Sequence, residues 1–151
     1  MITIKHECMA NVKKDIAPLL EKHWELVALN QGKIKLNPNW EEYAKLDELG
    51  ILKIFTARNE GELVGYFVLT ISKSIHYQDH LFAVNDVIFV LPDSRAGATG
   101  AKLIQYAEKY CKDAGVSTLT LNTKVHIPFD SLLLKLGFGL IERVYSKYLG
   151  N

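Results

Sequence analysis

The sequence lacks any long run of hydrophobic residues, and it has only two cysteines, Cys8 and Cys111. No run approaches the roughly 20 apolar residues that span a bilayer, so we expect no membrane partner. Two cysteines make neither a disulfide framework nor a metal site, and we expect both to be inert, with Cys111 in the core. The N-terminus lacks the basic-then-apolar pattern of a signal peptide. A reducing cytoplasm is therefore the expected compartment.

An excess of charge of one sign is also missing, because 18 basic and 17 acidic residues give a formal net charge of +1. Proteins that bind nucleic acid usually carry a clear basic patch or excess, so no nucleic-acid partner is expected. No repeat, linker or low-complexity tract divides the 151 residues. That length suits one domain with a substantial core. We predict a single domain over residues 1–151, without a metal.

Hydrophobic periodicity predicts an α/β (α+β) protein in which helices cross over between strands only in the second half. The predicted elements are strands at Ile2–His6, Ile51–Arg58, Leu63–Ile75, Leu81–Val90 and Ser117–Asn122, helices ending near Val27 and Leu49, helices at Gly97–Ala114 and Phe129–Leu136, and one or two strands within Phe138–Leu149. Pro18 leaves two alternatives for the first helix, which either begins near Asp15 or kinks at the proline. The second helix has Asn39 as its candidate cap.

The most informative stretch runs from Val90 to Ile104. A strand ends at Val90, and the turn Leu91-Pro92-Asp93-Ser94 leads to Arg95 and six small residues before an amphipathic helix. The first N–H groups of a helix have no intrahelical partner and bind anions readily. Glycine within a helix costs about 1 kcal/mol against alanine, whereas each hydrogen bond to a charged group contributes about 1.5–3 kcal/mol. The stretch therefore favours an anion-binding helix start, although a tightly packed helix start is an alternative.

This order of elements, with its Arg95-Ala96-Gly97-Ala98-Thr99-Gly100 loop, resembles the GNAT acetyltransferase superfamily. The family's loop reads R/Q-x-x-G-x-G/A, and Ala98 stands at the middle glycine. A second region, Leu132–Phe138, resembles the family's L-Y-x-K-L-G-F, with Leu133 at the tyrosine. The resemblance implies a GNAT-like fold, with a central mixed, mostly antiparallel sheet flanked by helices and splayed strands that form a coenzyme A cleft.

The resemblance also implies an N-acetyltransferase that transfers an acetyl group from acetyl-CoA to a primary amine by direct attack, and it leaves a homodimer open. The implied cofactor-binding residues are Ile88, Phe89, Val90, Arg95, Ala96, Gly97, Ala98, Thr99, Gly100, Ala101 and Asn122. Two alternatives remain. One is a non-catalytic coenzyme A sensor or interaction module, and the other is an unrelated nucleotide-binding α/β protein, which would need a crossover helix between Ile51 and Leu81.

Three residues are the candidate catalytic groups: Asp86, His76 and Tyr145. Asp86 lies within an apolar strand, where burial raises the pKa of a carboxyl group and suits it to act as a base. The alternative is that its carboxylate hydrogen-bonds to the backbone of a neighbouring loop. His76 would titrate near neutral pH. Tyr145 could supply the acid that is missing at Leu133.

Three further residues are candidate substrate contacts: Tyr77, His80 and His126. The two on the polar loop before the strand at Leu81 could border the acceptor, and Tyr77 is also an alternative acid. His126 precedes the short helix whose expected cap is Asp130.

Overall fold

The computed structural model describes residues 1–95 and 98–151, which form five strands, four α-helices and a short 3-10 helix at Pro92–Ser94. The elements are, in chain order, β1 (Ile2–Glu7), α1 (Met9–Val27), α2 (Trp40–Glu48), β2 (Leu52–Asn59), β3 (Glu62–Lys73), β4 (Leu81–Val90), α3 (Thr99–Asp113), β5 (Val116–Thr120) and α4 (Asp130–Lys135). The order confirms the prediction as far as α4. No helix lies between β2 and β4, a stretch described throughout, so the nucleotide-binding alternative is wrong.

A mixed, mostly antiparallel sheet has the strand order β1-β2-β3-β4-β5. The first four strands pair antiparallel, and β5 pairs parallel to β4. A two-residue turn joins β2 to β3, with Glu60 at φ 49° and Gly61 at φ 91°. Positive φ at both positions matches the twist of a hairpin. The parallel pair instead needs a long crossover, which α3 provides.

Two hydrophobic layers cover the sheet, one on each face. Every residue from Leu63 to Leu69 is buried, which confirms that β3 is a central strand. Buried side chains of α1 pack with Tyr66 on one face, and those of α3 pack with Phe67 on the other. Helices therefore flank the sheet on both sides.

The first helix begins at Met9, well before Asp15, so of the two alternatives the one with a start near Asp15 is wrong. Pro18 lies inside the helix, where it removes one backbone hydrogen bond. Two contacts favour the early start. Met9 is 4% exposed, and its backbone N–H donates to Asp47 Oδ2 of α2 at 2.7 Å. A carboxylate at a helix N-terminus is favourable, so α2 anchors the first turn of α1.

The second helix begins as predicted. Asn39 is its N-cap, and the side-chain Oδ1 accepts a hydrogen bond from the backbone N–H of Glu42 at 3.0 Å. Gly50 follows the helix at φ 74°. These local signals fix the ends of α2.

The prediction of closing strands within Phe138–Leu149 is wrong for this structure, because none of these described residues belongs to a strand. Leu140, Ile141, Val144 and Tyr145 are 72–88% exposed. A segment with strand-forming residues becomes a strand only when an edge pairs with it. Here the segment instead runs to the connection between α1 and α2, where Lys33 Nζ lies 4.8 Å from the centre of the Tyr148 ring.

None of the helices in the described residues is long and apolar enough to cross a membrane.

Candidate active site

The strands β4 and β5 separate halfway along β4. Their pairing covers Leu81–Val84 of β4 and ends at Thr120 of β5. At the point of separation, Asn85 Oδ1 accepts a hydrogen bond from the backbone N–H of Asn122 at 2.8 Å. Beyond it, the backbone of residues 86–90 has no strand partner on the β5 side among the described residues. This geometry confirms the predicted splay, and it leaves free backbone groups along one edge of β4.

A β-bulge places Asp86 beside this splay. Val68 pairs with Val87 and Leu69 pairs with Asn85, so Asp86 is the extra residue of β4. Bulges redirect a side chain and occur next to active sites. The expected burial of Asp86 is wrong, because the residue is exposed. The bulge explains this difference, since it turns the carboxylate toward α2 instead of into the core.

Tyr43 of α2 orients the Asp86 carboxylate. Its hydroxyl donates to Asp86 Oδ2 at 2.7 Å. Burial raises the pKa of Tyr43, and the neighbouring Asp86 raises it further. The phenol therefore stays protonated and donates throughout the neutral range, which leaves Asp86 Oδ1 available to another partner.

His23 is a site residue that the sequence did not reveal. It stacks on Phe89 with the ring centres 4.7 Å apart, and its Nδ1 lies 3.0 Å from the Tyr66 hydroxyl. Burial, together with the positive charges of Lys124 and Arg95, lowers the His23 pKa to about 4. The ring is thus neutral at pH 7. In the sequence, His23 stands at helical spacing among the apolar residues of α1. Its polar ring within that apolar stripe was the only sequence feature that could have marked it as a site residue.

The N-terminus of α3 fits a bound anion. Ala98 adopts φ 65°, no side chain caps the helix, and its first turn contains no acidic residue. Thr99 is 1% exposed, and its hydroxyl is the one buried side-chain polar atom without a partner in the described part of the chain. Buried polar groups are normally hydrogen-bonded, so a ligand at this helix start would satisfy it. Ala96 and Gly97, two predicted loop residues, lie outside the described residues.

Arg95 folds back onto β4. Its Nε donates to the carbonyl oxygen of Val90 at 2.9 Å, and its guanidinium carbon lies 5.8 Å from the centre of the Phe89 ring. The side chain is exposed. A positive charge is thus held against the end of β4.

The structure does not bring His76, Tyr77 and His80 to this site. His80 Nδ1 lies 2.8 Å from Ser117 Oγ at the beginning of β5, and the Tyr77 ring lies 5.9 Å from that of Phe82. These contacts are at the opposite end of the β4–β5 pair. At about 3.3 Å per residue, roughly 17 Å of strand separates Leu81 from Asp86.

The residues predicted near the end of the chain have separate positions. Tyr145 is 88% exposed. His126 Nε2 donates to the carbonyl oxygen of Val27 at 2.8 Å, which ties the β5–α4 connection to the end of α1. Asp130 does not cap α4, because Phe129 is the N-cap; its Oδ1 instead accepts from Thr123 Oγ1 at 3.3 Å.

Two further residues lie in the core. Leu133 is 8% exposed and packs against α3. Cys111 is 3% exposed, and burial raises the pKa of its thiol to about 11, so it is an inert core residue as predicted. No group of three or more metal-ligating His, Cys, Asp and Glu side chains occurs in residues 1–95 and 98–151.

The model of the acetyltransferase (GNAT) family matches residues 17–138. The chain belongs to the GNAT family. This acetyltransferase is an acetyl-CoA-dependent enzyme, as the family is. Among curated protein sequences, none matches it.

Solved structures with the same fold include acetyltransferases that are named for different acceptors. A ribosomal-protein-alanine N-acetyltransferase from Brucella melitensis biovar Abortus 2308 has a TM-score of 0.73 at 20% identity, over 99% of this chain and 100% of that one. An aminoglycoside acetyltransferase from an uncultured soil metagenomic sample, in complex with sisomicin, has a TM-score of 0.75 at 17% identity, over 97% of this chain and 94% of that one. A predicted acetyltransferase with acetyl-CoA from Clostridium acetobutylicum has a TM-score of 0.71 at 11% identity, over 99% of this chain and 97% of that one. At these identities the likeness shows the fold alone.

Proposed function

We propose that this acetyltransferase transfers an acetyl group from acetyl-CoA to a primary amine of a small molecule or a protein, by direct attack within a ternary complex. One observation carries the proposal: the bulge at Asp86 puts a carboxylate beside the free edge of β4. An acyl group on that edge and an amine held by Asp86 would be neighbours. Holding two reactants in this way supplies a large part of the rate enhancement of an enzyme.

The residues between Ile88 and Ala101 form the donor side. The start of α3 presents unpaired N–H groups and the Thr99 hydroxyl to the diphosphate of the coenzyme. Arg95 adds positive charge nearby. The backbone of Ile88, Phe89 and Val90 offers hydrogen bonds to the pantetheine arm. Asn122 follows the end of β5 at the point where the strands separate, and its backbone N–H donates to Asn85 Oδ1. Acetyl-CoA supplies the thioester that is attacked.

Asp86 acts as the base on the acceptor side. It takes a proton from the ammonium group through Oδ1, since Oδ2 already accepts from Tyr43. The amine nitrogen then attacks the thioester carbonyl carbon, and the carbon–sulfur bond breaks. Backbone N–H groups on the free edge of β4 stabilise the oxyanion. Water protonates the leaving thiolate, because Leu133 has no acidic group and the Tyr145 side chain is exposed to solvent and not packed at the site.

The acceptor approaches over the face that α1 and α2 cover. Tyr43 and Asp86 meet on that face, and the first turn of α2 adds the exposed carboxylates of Glu41 and Glu42. A cationic amine is attracted to such a surface. The proposed acceptor is therefore an amine that is protonated in solution.

The test measures coenzyme A release with a panel of amines in wild type and Asp86→Asn. We expect kcat to fall by about 10²–10⁴, the usual contribution of a general base, while calorimetry shows unchanged coenzyme A affinity. Tyr43→Phe should reduce kcat less, because Asp86 keeps its charge. Asp79→Asn is the matched control at the distant β3–β4 connection and should change nothing. An Asp86→Asn enzyme with wild-type kcat would exclude Asp86 as the base.

A further inference from the structure

His23 of α1 has one ring nitrogen held by the protein and the other left open. Its Nδ1 lies 3.0 Å from the Tyr66 hydroxyl, and its ring stacks on Phe89. Its Nε2 makes no hydrogen bond to any of the described residues. In that part of the chain, the Thr99 hydroxyl is the one buried side-chain polar atom without a partner. His23 Nε2 is therefore not buried, and a ligand can reach it.

The Tyr66 hydroxyl decides which nitrogen of His23 carries the proton. Tyr66 is fully buried, and burial together with the charges of Tyr43 and Asp86 raises its pKa, so the phenol stays protonated. Within residues 1–95 and 98–151, its one hydrogen-bond partner is His23 Nδ1. If Nδ1 donated, the buried O–H would have no acceptor, which is costly. The hydroxyl therefore donates to Nδ1, and the proton of the neutral ring is on Nε2.

The open Nε2–H of His23 is an uncharged hydrogen-bond donor. Because the His23 pKa is lowered to about 4, the ring is neutral at pH 7 and Nε2 can only donate. An ammonium group has no lone pair that could accept this bond. The group that suits the donor is an oxygen atom, so the amine of the acceptor is not its partner.

The charges around His23 also favour an oxygen atom. His126 Nε2 donates to the carbonyl oxygen of Val27 at 2.8 Å, which fastens the β5–α4 connection to α1 one turn after His23. Lys124 of that connection is close enough for its charge to lower the His23 pKa, and so is Arg95. Positive charges attract the negative end of a carbonyl, hydroxyl or carboxylate group. The surroundings of Nε2 thus differ in sign from the carboxylate that is proposed to hold the amine.

We propose that His23 is a specificity-determining residue, whose Nε2–H donates to an oxygen atom of the acceptor while Asp86 holds the amine. The inference rests on the proposed function, and it narrows the acceptor to primary amines that also carry a hydroxyl, carbonyl or carboxylate oxygen. Phe89, on which His23 stacks, is three residues from Asp86, which corresponds to about 10 Å of strand. The nitrogen and the oxygen of the acceptor are therefore several bonds apart.

The experiment compares amines that differ in one group. Amino alcohols from aminopropanol to aminohexanol, with the two groups at opposite ends, are each paired with the alkylamine that has a methyl group in place of the hydroxyl. In the wild type, kcat/KM should be roughly 2- to 12-fold higher for the alcohol in the pair whose length fits, the usual effect of one neutral hydrogen bond. The ratio within a pair does not depend on the amount of folded enzyme.

The variant that removes the donor is His23→Phe combined with Tyr66→Phe. It keeps a ring over Phe89 and leaves no buried hydroxyl unpaired, and replacing both partners in this way is nearly neutral for stability. It should abolish the preference for the alcohol. His80→Phe is the matched control, since His80 contacts Ser117 at the distant end of the β4–β5 pair, and it should keep the wild-type ratio.

Nitrogen-15 NMR of His23 at pH 7, with coenzyme A bound, completes the test. We expect a neutral ring protonated on Nε2, and a shift of the Nε2 signal with the preferred alcohol but not with its alkylamine. A wild type without preference in any pair, or a proton on Nδ1, would overturn the inference. A double variant that lowers kcat equally for both members of a pair would overturn it too, because the donor would then serve the thioester. If no amine is acetylated, the proposed function fails, and the Nε2 shift by itself supports the inference or, if absent, overturns it.

Discussion

Replacing Gly100 with alanine should stabilise the fold and weaken coenzyme binding. A β-carbon at Gly100 would lie 3.7 Å from Leu132 Cδ2, an ordinary contact, so the methyl group clashes with nothing described. Alanine is favoured over glycine in a helix by up to about 1 kcal/mol. For a domain of this size, that gain raises Tm by about 2–4 °C. Packing alone therefore gives no reason for glycine at this position.

The coenzyme provides the reason if it lies over the start of α3. A methyl group there would disturb about one hydrogen bond to a charged oxygen, worth about 1.5–3 kcal/mol, which corresponds to roughly a 10- to 150-fold rise in Kd. Calorimetry with coenzyme A and a thermal melt without it measure the two effects separately. Gly32→Ala is the control, since a β-carbon there meets no atom within 4 Å and the residue is remote from α3. Tighter or unchanged coenzyme binding by Gly100→Ala would refute the placement of the diphosphate.

Two further predictions concern the sheet. Burial opposes ionisation of Glu7, but hydrogen bonds from Arg58 and Thr56 outweigh it and hold the Glu7 pKa below its usual value. The lowered pKa means that the Glu7 carboxylate stabilises the folded state at pH values above its unfolded-state pKa. This contribution to folding is lost as the pH falls through the folded-state pKa. Glu7→Gln should therefore lower the free energy of unfolding by about 1–3 kcal/mol at pH 7, and denaturant titrations should show this difference shrinking below about pH 4; a constant difference would contradict the argument. Gly65→Ala puts a β-carbon 3.0 Å from the carbonyl oxygen of Phe89, so it should lower the free energy of unfolding by about 1–3 kcal/mol. An unchanged melting temperature would contradict this, because it would mean that β4 shifts to accept the methyl group without cost.

Local signals in the sequence were sufficient for most of the fold. Asn39 caps α2 because its side chain reaches an amide three residues away, and the Glu60-Gly61 turn needs only its own backbone angles. Such features depend on neighbours in the chain, so pattern and propensity identify them. The segment after Phe138 was predicted to contain strands from its composition, yet it forms none in this structure. A strand forms only where the edge of a sheet pairs with it, and no local pattern shows which edge is available.

The candidate site depended more on distant contacts. His76 and His80 precede β4 in sequence, which suggested closeness to Asp86, but an extended strand carries them away from it. His23 is distant in sequence from Phe89 and reaches it because α1 packs across the sheet. The histidine that lies at the site was therefore hidden in an apolar pattern, while the visible ones lie at the other end.

The bulge in β4 connects these observations. Without the extra residue, strict alternation would put Asp86 and Phe89 on opposite faces of the sheet. The bulge lets both face α1 and α2, so the carboxylate meets Tyr43 while Phe89 meets His23. The shift in register falls next to the point where β4 leaves β5. One irregularity therefore turns the carboxylate of Asp86, the proposed base, toward the face that α1 and α2 cover. It does so on the part of β4 that does not pair with β5 and that is proposed to receive the thioester.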